Sequence, residues 1–86
     1  MTTRIDMEAA AVALASAAAA RQLALPKNRS KGVPTETPAQ LVRMAQDELD
    51  EVLHAMRSGR TPYEVESEIG DAVAVCALLL HKLRHG

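Results

Sequence analysis

Residues 37–59, TPAQLVRMAQDELDEVLHAMRSG, and residues 61–85, TPYEVESEIGDAVAVCALLLHKLRH, open with the same grammar and carry the same anomaly. In each, a Thr stands at the helix cap, a Pro takes the first helical position and an amphipathic run follows. Gln40 can close a capping box on Thr37, and Gly59 can supply the left-handed residue that ends the first run near Ser58. On a 100° wheel Leu41, Met44, Ala45, Leu49, Val52 and Met56 form one apolar arc. Val65, Ile69, Ala72, Val75, Cys76, Leu79 and Leu83 form the arc of the second helix, which runs to about Arg84. The anomaly is acidic. Glu48 falls inside the first arc with Glu51 at its edge, and Glu68 falls inside the second with Asp71 at its margin. So short a turn makes the two helices antiparallel neighbours, and packing along the two arcs would bring the acidic pairs level, to within an offset of one turn.

Charges buried without partners cost several kcal/mol each, so four converging carboxylates imply raised pKa values, ion pairs with Lys or Arg, or a bound cation. The i, i+3 spacing puts the two acids of each pair one turn apart on one face, and two such helices offer hard oxygen ligands from both sides. Mg²⁺ suits that donor set, whereas Zn²⁺ favours His and Cys. The cation reading is therefore the working expectation. Asp47 and Asp50 project to the polar side with Arg43, Gln46 and Arg57 and read as solvated surface.

Working outward, the 86 residues make one domain, divided into an Ala-rich helix (1–25), a basic loop (26–37) and the acidic hairpin (38–84). The first helix is expected from Asp6, as N-cap, to about Leu23, with Ile5, Ala9, Val12, Ala19 and Leu23 on one face and an Ala surface that permits close helix approach. Arg4 and the run from Ala9 to Ala20 superficially resemble a signal peptide, but Asp6, Glu8 and the scarcity of Leu argue against one, and the run is too short to span a bilayer. The single Cys76 excludes an intramolecular disulfide and fits a cytoplasmic setting. With Tyr63 the only aromatic residue, one copy can bury only a modest core, so oligomerisation is expected. A net charge of −1 and the lack of stacking aromatics speak against a nucleic-acid polymer as partner.

Glu48-Leu-Asp-Glu51, sixteen intervening residues and Glu68-Ile-Gly-Asp71 together resemble the ExxE…ExxD signature of the MazG-like, all-α nucleoside triphosphate pyrophosphohydrolases. The similarity covers about residues 37 to 84. It implies an antiparallel helical bundle of about three helices per chain, completed as a homodimer or homotetramer with active sites near the subunit contacts. It also implies Mg²⁺, with Mn²⁺ as a possible substitute, held by Glu48, Glu51, Glu68 and Asp71. The substrate would be a nucleoside triphosphate, or a related diphosphate compound, with a triphosphate hydrolysed to the monophosphate and pyrophosphate. His54 stands where the family often has an acid, and Leu78 where it often has a polar residue.

Lys27, Arg29 and Lys31 are candidate phosphate contacts or simply a solvated loop; Lys82 meets the phosphate tail or snorkels. Tyr63 either stacks on a base or packs at its helix start. His54 and His81 read as surface residues, and Cys76 as a small core residue. Two other functions compete. One is a noncatalytic bundle that binds a nucleotide or a partner helix. The other is a di-iron carboxylate site, suggested by Glu51-Val-Leu-His54 but lacking a second ExxH element.

Overall fold

The computed structural model describes residues 2–32 and 34–86 and contains four helices: α1 (Arg4–Ala24), α2 (Pro26–Arg29), α3 (Pro38–Arg57) and α4 (Pro62–His85). The chain is all-helical among the described residues, and no helix is long and apolar enough to cross a membrane.

Both Thr-Pro starts form as expected. The Gln40 N–H donates to Thr37 Oγ1 (3.2 Å) while the Thr37 N–H donates to Gln40 Oε1 (2.8 Å), and the Glu64 N–H donates to Thr61 Oγ1 (3.2 Å). Gly59 adopts φ +68°, which lets the Arg60 N–H reach back to the Ala55 carbonyl at 3.1 Å and closes α3. The first helix begins earlier than its pattern suggested. Thr3 is the cap and Asp6 its reciprocal partner three residues on, because an Asp at that position can accept from the cap's own N–H (3.2 Å). The expected loop 26–37 likewise holds one helical turn, α2. Pro26 pre-sets its first φ and confines Leu25 to an extended conformation (ψ 141°), which ends α1 and starts a new direction.

Helix α4 packs against both α3 and α1, while no Cα of α1 comes within 8 Å of one in α3. Helix α4 is thus the central element, flanked by the other two long helices. That topology sorts side chains by size. The buried apolar residues are Ala18, Ala19, Leu41, Ala45, Ala55, Ala72, Ala74 and Val75, mostly small groups that let helix backbones approach. Larger residues assigned to the arcs lie outside: Leu49 is 58% exposed and Met56 61%, and Ile5, Val12, Ile69, Cys76 and Leu83 are exposed as well. Cys76 is therefore not a core residue. A central helix with two neighbours must present small residues to both, leaving the bulkier ones to the open faces.

A close approach of α1 and α4 is at Gly70, where an added Cβ would stand 2.7 Å from the Ala18 carbonyl oxygen and 2.9 Å from its carbon. Backbone cannot swing aside as a side chain does. Gly70→Val is predicted to destabilise the fold by about 1–3 kcal/mol through overpacking. In thermal melts followed by circular dichroism this is a fall of roughly 5–20 °C. An unchanged melting temperature would show that α1 and α4 do not meet there.

Candidate metal centre

Glu48 projects from the middle of α3, and Glu68 and Asp71 from the second and third turns of α4. One carboxylate oxygen from each can be chosen so that all three lie within 4.8 Å of one another. Oxygens around octahedral Mg²⁺ stand about 3 Å apart along an edge and about 4 Å across, so small side-chain rotations would draw this trio around such an ion. Glu51 is exposed and outside the trio, yet it stands close enough to share a hydrogen bond with Glu48 or Glu68 when one of the pair carries a proton.

The electrostatics are those of a site short of positive charge. Burial, then the charges of Glu51, Asp71 and Glu68, push the Glu48 carboxyl from its ordinary 4.5 up to about 7. Glu68 is also raised, first by burial and then by Glu51 and Asp71, with Arg60 opposing. Arg60 Nη1 lies 3.8 Å from Glu68 Oε1, at the outer limit of an ion pair. Glu48 Oε2 and Glu68 Oε2 are both buried without a hydrogen-bond partner. Buried polar atoms are rarely left unsatisfied, and a cation or a proton is what these two accept. The residues present therefore fit a hard divalent cation.

The acids separate two cavities of different chemistry. The larger, about 410 Å³, is lined by the apolar Leu41, Met44, Val75 and Leu78, the acidic Glu48 and Asp71, and the basic Lys27 and Lys31. The smaller, about 320 Å³, is lined by Glu51, His54, Arg60 and Glu68. Of the candidate substrate residues, Lys27 and Lys31 thus reach the larger cavity. Arg29, Tyr63 and Lys82 are not among the residues lining either one, and Tyr63 is largely exposed.

Two contributors escape a reading confined to the two hairpin helices. Gln22 Nε2 donates to Asp71 Oδ1 at 2.8 Å, fixing that carboxylate from α1, while the Gln22 carbonyl accepts from Asn28 Nδ2 at 2.5 Å. The signal was a face of α1 running Ala15, Ala18, Ala19 and Gln22, whose one long member is polar. Arg60 is the other. It occupies the turn residue between the two helix punctuation marks, Gly59 and Thr61, and so is held between the acidic helices.

Fold and site together define an all-α chain with a carboxylate cluster between its two hairpin helices. Comparison with family models, curated proteins and solved structures finds no significant match to this chain.

Proposed function

We propose that the chain is a Mg²⁺-dependent nucleoside triphosphate pyrophosphohydrolase of the MazG-like kind, acting as a homodimer or homotetramer. The observation that carries this reading is the convergence of Glu48, Glu68 and Asp71 with two buried, unpartnered oxygens, in the order and spacing of ExxE…ExxD. The open apolar faces of the helices support self-association, since one copy buries little beyond Ala, Leu41 and Val75.

Mg²⁺ bound by these carboxylates, with Mn²⁺ as a substitute, supplies the positive charge that makes a phosphoryl group accept a nucleophile. The protein's own part is to bind and orient. The larger cavity is of a size to take a nucleoside against Leu41, Met44, Val75 and Leu78, with Lys27 and Lys31 also lining it. Glu51, beside the trio but outside it, is suited to orient the attacking water and take its proton. The water oxygen bonds to the α-phosphorus and the α–β bridging oxygen departs with the β-phosphate, giving monophosphate and pyrophosphate.

The test is pyrophosphate release from a panel of ribo- and deoxyribonucleoside triphosphates with Mg²⁺, repeated with EDTA. Metal-dependent release from at least one member is expected. Nucleotide binding without turnover would favour the noncatalytic bundle. Iron uptake with ligand-to-metal absorbance would favour the di-iron site, for which the presence of His54 beside Glu51 and Glu68 is the one supporting feature.

A further inference from the structure

We propose that Arg60 receives the terminal phosphates of the substrate, and hence the departing pyrophosphate, in the smaller cavity, while the nucleoside end occupies the larger one across the carboxylates. This assignment rests on the hydrolase reading above and gives its substrate a direction.

The argument begins with the partition. Glu48 and Asp71 line one cavity, Glu51 and Glu68 line the other, and oxygens of Glu48, Glu68 and Asp71 lie within 4.8 Å of one another. A linear substrate held at these acids through its middle has one end in each cavity. The ends of a nucleotide differ in chemistry, and so do the cavities. A nucleobase wants apolar surface, and apolar side chains line the larger cavity but not the smaller, although Lys27 and Lys31 line the larger as well. A polyphosphate tail wants cations and hydrogen-bond donors, and the smaller cavity holds Arg60 and His54 beside Glu51 and Glu68.

Charge strengthens the assignment. Acids crowded at the trio repel an anionic tail, and Glu51 and Glu68 line the smaller cavity itself. Further positive charge must stand where the tail lies. Arg60 is the described cation in contact with an acid of the trio, and its contact is loose, 3.8 Å, with its side chain 43% exposed. Loose pairing leaves the guanidinium fork free to turn from Glu68 to phosphate oxygens, which it can grip at two points. Its backbone is meanwhile held by the 3.1 Å hydrogen bond to the Ala55 carbonyl, made possible by Gly59. The fork therefore swings from a fixed base.

The experiment is calorimetric titration of the full chain, in Mg²⁺, with inorganic pyrophosphate and separately with a panel of nucleoside monophosphates. Arg60→Gln is expected to weaken pyrophosphate binding tenfold or more and to change monophosphate binding by less than about twofold. Arg60→Lys should recover part of the loss, since it keeps the charge and loses the fork. Matching thermal melts should show that both variants fold, because only a half-exposed side chain outside the helices is altered. Unchanged pyrophosphate affinity in Arg60→Gln would overturn the assignment, as would equal losses for both ligands. Failure of the parent protein to bind pyrophosphate would overturn it too, whatever the triphosphate panel shows. If the parent hydrolyses no triphosphate yet binds pyrophosphate through Arg60, the hydrolase reading fails and the role of Arg60 stands.

Discussion

Glu48→Gln is expected to lower Mg²⁺-dependent pyrophosphate release by at least about a hundredfold, since even groups that only support a metal ligand are worth 10–100-fold. In the same protein it should raise the stability of the metal-free fold at pH 8. The opposite signs come from one cause. In the parent, folding at pH 8 forces an ionised Glu48 into a partly buried position beside Glu51, Asp71 and Glu68, which is why its carboxyl is held at about 7. Gln has nearly the same shape and no charge, and its amide can donate to a neighbouring carboxylate in place of the buried, unpartnered Oε2. The shift from 4.5 to about 7 sets a ceiling of about 3 kcal/mol, and screening at a partly exposed group reduces the expected gain to about 1–3 kcal/mol. At pH 5 the parent's folded Glu48 is largely protonated, so the difference should shrink to less than about 1 kcal/mol. Urea titrations in EDTA at both pH values read the difference. A variant less stable than the parent at pH 8 would mean that Glu48 is held by a partner cation, and full hydrolytic activity would remove it from the site.

The acidic centre was legible because its information is local and periodic. Thr37-Pro38, Gly59 and Thr61-Pro62 mark where α3 and α4 begin and turn, and the helical period then decides that Glu48 meets Glu68 and Asp71. What was not legible depends on which helix lies between which. A wheel weighted by hydrophobicity places Leu49, Met56, Ile5 and Val12 inward. In the fold that forms, Gly70 and Ala18 occupy a close approach of α4 and α1 and those larger residues are exposed. Closeness of backbones, rather than apolar area per residue, chooses the packed faces of α4. Gln22 was missed for the same reason: its partner Asp71 is forty-nine positions away and is reached only once α1 has docked on α4. Arg60 lies outside both helices, where no periodicity applies.

Raised carboxyl pKa values also predict how the whole fold responds to pH, and the sign runs against the usual behaviour of paired acids. A carboxyl with a higher pKa in the folded than in the unfolded chain makes the folded state bind more protons between the two values. Its contribution to stability is fully present below the unfolded value near 4.5 and is lost as pH rises through about 7. Glu68, also raised, acts in the same direction. The metal-free protein is therefore expected to be more stable at pH 5.5 than at pH 8, by about 1 kcal/mol from Glu48 after allowance for screening, since the interval from 5.5 to about 7 caps the effect at about 2 kcal/mol. Mg²⁺ should reverse the slope. The same carboxylates must lose their protons to bind it, so its stabilisation is slight at pH 5.5 and grows through pH 7. At a hundredfold excess over its dissociation constant it reaches about 2.7 kcal/mol. Thermal or urea unfolding at pH 5.5, 7 and 8, with EDTA and with Mg²⁺, reads both slopes. If the cluster were an ordinary set of surface acids, the metal-free slope would be flat and Mg²⁺ would act equally at every pH. If Arg60 alone balanced the site, metal-free stability would hold up to pH 8, because the ion pair needs Glu68 ionised. Falling metal-free stability together with rising Mg²⁺ stabilisation is the combination that requires carboxylates crowded together for want of a cation.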